Sequence, residues 1–110
     1  MNVHLIKIQS IMDYVLRHQN SKIPFDNWRL AQRYASWNQP SDIQNTFPSA
    51  DLLGNGSNRV IFDIGGNNFR MICKYQFGKR EAHLFICWIG THADYTKLCA
   101  KNLQYNVSDY

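Results

Sequence analysis

His92 and Tyr95 stand three residues apart in Thr91-His92-Ala93-Asp94-Tyr95, and an imidazole beside a phenol is an acid–base pair suited to phosphate chemistry. The apolar run Leu84-Phe85-Ile86-Cys87-Trp88-Ile89, just before Gly90, has the length and β-rich composition of a buried strand. Thr91 followed three residues on by Asp94 has capping-box spacing, so the chain turns there from strand into helix. His92 then lies in the first helical turn with Tyr95 on the same face. That is the positive end of a helix, where a phosphate is stabilised. A solvated histidine next to a packing aromatic fits the same residues, so their surroundings must decide.

Those surroundings begin with a hairpin. Residues 59–64 and 69–77 alternate apolar and polar at the strand period, and Gly65-Gly66-Asn67-Asn68 supplies the turn between them. Closure by two or by four residues gives one register, with Ile64 opposite Phe69 and Phe62 opposite Met71. Val60, Phe62, Ile64, Phe69, Met71 and Cys73 then share the core face. The other face carries Arg59, Ile61 and Asp63 against Arg70, Ile72 and Lys74. Asp63 meets Arg70 as a cross-strand ion pair. Arg59 meets Lys74, and like charges directly opposite are unfavourable unless an anion lies near them or both side chains splay into water. The last strand, 82–89, delivers the chain to Thr91, so the basic face and the helix start are neighbours. Arg70, with Lys74 or Arg59, is thereby placed to grip a phosphate beside His92 and Tyr95, its planar fork donating two parallel hydrogen bonds. An RNA substrate would supply its own nucleophile, the 2′-hydroxyl. One group removes that proton, the arginine stabilises the charge on phosphorus, and an acid protonates the departing 5′-oxygen. The residues leave open which of His92 and Tyr95 does which, or whether Tyr95 instead stacks a base.

Upstream the spacing turns helical. Residues 3–7 read as a short strand, Ser10 with Asp13 as a helix start, and residues 26–36 as a second helix. Ser41 with Gln44 announces a short helical turn, and residues 51–58 read as a surface loop. Helices first and a three-stranded meander after make an α+β pattern. At 110 residues, 45% of them hydrophobic and 14% aromatic, the chain is expected to be a single ordered domain over 1–110.

No apolar run approaches the ~20 residues of a membrane-spanning helix, and the first residues lack a secretory pattern. Three cysteines without C-x-x-C spacing suit free thiols in a reducing compartment, so a cytoplasmic location is expected. The four histidines show no metal-ligand spacing; neither metal nor cofactor is predicted. The formal net charge of +4 suits a nucleic acid or an acidic protein partner and equally an ordinary basic domain.

Trp37, the run Phe47-Pro48-Ser49-Ala50-Asp51, the segment Val60 to Ile72 and Thr91-His92-Ala93-Asp94-Tyr95 together resemble the HigB family of bacterial toxins, within the RelE-like group. The resemblance runs from Trp28 to Leu98. It implies a small twisted antiparallel sheet with two N-terminal helices packed on it, and a toxin that enters the ribosome and cleaves the mRNA there. It implies a cognate helix-turn-helix antitoxin, operator DNA contact through that antitoxin, and no membrane partner. Arg70 matches the family's strand arginine, and His92 and Tyr95 its histidine and tyrosine. Arg59 and Lys74 match no motif position and rest on the register alone. Asp94 stands where glutamate is commoner and Thr96 where aspartate is, while residues 99–110 match nothing in the pattern. Two alternatives stay open: a toxin on this scaffold that inhibits a protein target such as DNA gyrase, and an inactive module that binds only antitoxin or RNA.

Overall fold

The computed structural model describes residues 1–110 as an α+β fold. In chain order the elements are β1 (Asn2–Ile6), α1 (Ile8–Arg17), α2 (Lys22–Arg33), α3 (Ile43–Thr46), β2 (Asp51–Leu53), β3 (Arg59–Ile64), β4 (Phe69–Phe77), β5 (Glu81–Thr91) and α4 (His92–Ala100). The strands form one sheet in the order β1-β5-β4-β3-β2.

The hairpin has the register its turn dictates. Ile64 pairs with Phe69, Phe62 with Met71, Asp63 with Arg70 and Arg59 with Lys74. Gly65 adopts a φ of +65°, and a Cβ there would also lie 3.1 Å from Pro24 of α2, so the turn is glycine for both reasons. The core face then falls as expected. Val60, Phe62, Ile64, Phe69, Met71 and Cys73 join Ile11, Tyr14, Phe25 and Trp28 of the two helices in one cluster of 18 buried residues. Trp28, Phe47 and Phe62 meet with ring centroids 5.1–5.4 Å apart. Each buried ring stabilises the fold by about 1.5–3 kcal/mol from area alone, and ring geometry adds a further increment. Buried Gln32 of α2 donates from Nε2 to the carbonyl of Val3 at 2.9 Å, which fastens the helix layer to β1.

Several local expectations are corrected. The sheet is mixed, because β1 runs parallel to β5, from Asn2 opposite Glu81 to Ile6 opposite Phe85. Hairpin pairing is announced by local turn chemistry, whereas a parallel partner across a long crossover leaves no such mark. Residues 51–53 form β2 on the far edge, with Leu52 opposite Val60. Helix α1 starts at Ile8 instead of Ser10. Helix α2 starts at Lys22 instead of 26, since Pro24 falls in its first turn, where a missing N–H is no loss. The turn at 40–46 forms, with Gln39 and Asp42 as its capping pair in place of Ser41 and Gln44.

The second face of the sheet is covered from the C-terminal side. Between β4 and β5 the register shifts: Ile72 pairs with Trp88, but Cys73 pairs with Ile86. Cys87 is the extra residue, and this bulge turns Cys87 and Trp88 to one face together. They form a small cluster with Ile61 and Ile72, capped by Tyr95 and Leu98 of α4 and by Val107 of the tail. The tail continues to the sheet's edge. Beyond Phe85, where β1 ends, the Cys87 carbonyl accepts the Asp109 N–H at 2.8 Å. An otherwise open strand edge is thus closed. No helix is long and apolar enough to cross a membrane, and Cys73, Cys87 and Cys99 are free thiols.

Candidate active site

The strand-to-helix junction forms as its residues dictate. Thr91 is the N-cap of α4, its hydroxyl accepting the Asp94 N–H at 3.1 Å, and Asp94 reaches back to the Thr91 N–H at 3.4 Å. His92 opens the helix, its side chain exposed. Its backbone N–H donates to the Asn68 carbonyl at 3.1 Å, so the helix start is tied to the hairpin turn. His92 therefore stands directly beside the end of the sheet from which Arg70 projects.

Arg70 is 7% exposed and held on three sides. Its Nε lies 3.0 Å from Asp63 Oδ1, Nη1 donates to the Phe69 carbonyl at 3.1 Å, and Nη2 donates to Asn67 Oδ1 at 2.5 Å. A guanidinium has five N–H donors. Each terminal nitrogen spends one in a hydrogen bond and keeps one, while Nε faces Asp63 in the ion pair. The geometry is that of a fixed fork, oriented by a carboxylate across the strand and an amide in the turn. Asn67 escaped sequence reasoning, although its place in a turn three residues before an arginine was a usable signal.

Tyr95 lies half-buried on Trp88, ring centroids 6.1 Å apart. Burial pushes its hydroxyl well above the ordinary tyrosine value; interaction with Cys99 and the charge of Asp51 add to this, and the charge of Arg70 opposes it without prevailing. The phenol is thereby held in its neutral form. A neutral phenol can donate a hydrogen bond. Its seat depends on Gly90. A Cβ at that position would lie 2.4 Å from the Trp88 ring, so the indole can occupy that place only because residue 90 has no side chain.

The other two expected residues lie elsewhere. Lys74 is exposed, four residues further along β4. Arg59, opposite it, is 7% exposed, and its Nη1 donates to the carbonyls of Gln104 at 3.2 Å and Val107 at 2.7 Å. The pair avoids like-charge contact because Arg59 turns to the tail. The structure therefore places Arg70, His92 and Tyr95 at one end of the sheet, and sets Arg59 and Lys74 at the opposite end of the ladder.

A mixed sheet carrying two helices on one face is consistent with the RelE-like fold. The family model for HigB_toxin, described as the RelE-like toxic component of a toxin–antitoxin system, matches residues 21–98. The chain belongs to that family. It is also 23% identical over 96 residues to a protein of Escherichia coli O6:H1 named mRNA interferase HigB, covering 87% of this chain and 91% of that relative.

Proposed function

We propose that this chain is a ribosome-dependent mRNA endonuclease, the toxin of a type II toxin–antitoxin pair. The observation that carries the reading is Arg70: a buried guanidinium with one free N–H on each terminal nitrogen, beside a neutral tyrosine and an exposed histidine. The family match supplies the toxin–antitoxin context, and the relative's name supplies the substrate class. In the reaction, the 2′-hydroxyl loses its proton and its oxygen attacks the adjacent phosphorus. The bond to the 5′-oxygen breaks, and that oxygen takes up a proton. The products are a 2′,3′-cyclic phosphate and a free 5′-hydroxyl. Arg70 stabilises the extra charge on the phosphoryl oxygens, where preorganised donors count most. His92, an exposed imidazole at the start of α4, moves the proton. Tyr95, kept neutral, donates a hydrogen bond or stacks on a base. Neither metal nor enzyme nucleophile is needed for this route.

The partners follow the same reading: a cognate helix-turn-helix antitoxin, operator DNA reached through it, and mRNA on the ribosome. The test is to induce the chain in bacteria and map mRNA 5′ ends by primer extension beside a His92→Ala control. New ends within translated frames that vanish in the control are expected. Growth arrest without new ends would assign the toxin to a protein target instead. No arrest with folded protein would leave an inactive module.

A further inference from the structure

The end of the sheet away from His92 holds a second group of cations that the cleavage chemistry does not use. A groove of about 340 Å³ crosses the second face beside the tail, lined by Lys7, Arg59, Lys74, Gln76, Phe85 and Tyr110 among others. No carboxylate side chain lines it, and none of its three cations belongs to an ion pair. Arg59 forms its floor. Its Nη1 is fixed by the two tail carbonyls, while Nε and Nη2 have no protein partner and are not sealed from solvent. A backbone carbonyl offers only a partial charge, so Arg59 sits in a largely buried place without an ion-pair partner.

Two further features separate this groove from an ordinary basic surface. Phe85 is half-buried yet packs into neither hydrophobic cluster, so an aromatic ring is left beside the cations. Lys7 has a φ of 70°, in the left-handed region. The other non-glycine residues there are Asn55, Asn58 and Asn102, and asparagine tolerates that conformation as lysine does not. A long cationic side chain is thus retained where glycine would be relaxed, the kind of local strain that accompanies function.

We propose that this groove is a single-stranded RNA subsite, in which Lys7, Arg59 and Lys74 hold a backbone phosphate and Phe85 stacks on a base. Cations tracking a backbone next to an aromatic platform are how sequence-tolerant single-strand sites are built. Lys74 lies four residues from Arg70 on the same strand face, roughly 13 Å along the sheet. The strand would be anchored here at one point while a phosphate further along it lies at Arg70. The inference rests on the RNA reading above, and its test separates the two.

The experiment measures anisotropy of a fluorescently labelled single-stranded RNA oligonucleotide, titrated with the full-length His92→Ala protein at several salt concentrations. Lys7→Gly, Lys74→Gln and Phe85→Ala are added singly to that background. Each lysine substitution is expected to weaken binding about fivefold or more and to lower the slope of log affinity against log salt by about 0.7. Phe85→Ala is expected to weaken binding about tenfold with the slope unchanged. Lys7→Gly relieves the backbone, so its melting temperature should not fall, and weaker binding cannot then be ascribed to unfolding. Equal affinities and slopes across the variants overturn the groove and leave RNA cleavage standing, to be judged by the 5′ ends. No binding of RNA by the parent overturns the groove outright. Weakened antitoxin binding with RNA affinity unchanged also overturns it, and assigns the cations to an acidic protein segment.

Discussion

Arg70 and Arg59 project from the same face of the β3–β4 ladder, at its opposite ends, and each is 7% exposed. Their partners differ. Arg70 is met by a carboxylate from the adjacent strand, which balances its charge and fixes its plane. Arg59 is met by two carbonyls of the tail, which fix its plane and leave its charge. The first arrangement suits a group that must be rigid at a reacting centre. The second suits a group that must attract an anion while holding the C-terminal segment to the sheet. Burial alone therefore says little about a buried arginine's role; the formal charge of what it touches says more.

Substitutions can break this contrast, and Arg70→Lys should have the largest effect. It keeps the charge but loses the fork, and mRNA cleavage should fall by about two to three orders of magnitude. Full activity in that variant, read by primer extension, would reduce Arg70 to a structural ion pair. At the other end, Arg59→Ala leaves the Gln104 and Val107 carbonyls without their donor. A stability loss of about 2–3 kcal/mol is expected by denaturant titration, with faster hydrogen exchange at Asp109. An unchanged tail would show that Val107 packing alone holds it. Gly90→Ala forces the indole of Trp88 aside, costing about 1–3 kcal/mol, and should lower cleavage with it because Tyr95 sits on that ring. Loss of stability without loss of cleavage in the folded fraction would detach Tyr95 from the chemistry.

The smallest effect sharpens the description of Tyr95 itself. Its hydroxyl is raised in the fold, so the folded state favours the neutral phenol. That preference leaves stability unaffected below the unfolded value near ~10 and removes stability as pH climbs beyond it. Tyr14 and Tyr110 are raised as well and share the alkaline loss, so Tyr95→Phe should remove only part of it. In the pH profile of cleavage no limb belonging to Tyr95 should appear below pH 10. A limb near pH 8 that disappears in Tyr95→Phe would restore the tyrosine as a base.

What could be read from the sequence was whatever depends on near neighbours. The Gly65–Asn68 turn and the two-residue alternation around it determine every pair of the hairpin, and with them the Asp63–Arg70 contact. The capping spacing of Thr91 and Asp94 determines where α4 begins, and so where His92 stands. The parallel union of β1 with β5 was out of reach, because neither strand carries a mark of the other. So was the bulge at Cys87, which places two successive residues on one face against the strand period and carries Trp88 beneath Tyr95. The surroundings of Arg59 were illegible for a related reason. Its opposition to Lys74 was legible, but the tail that turns it away is a polar segment without periodicity, and only the folded chain brings Gln104 and Val107 over the strand.

The parallel seam has a consequence for timing. Asn2 has to wait for Glu81 before its strand finds a partner, and contacts so distant along the chain are slow to close. Synthesis runs from the N-terminus, so β1 stays without its partner until β5 has been made, and His92 follows later still.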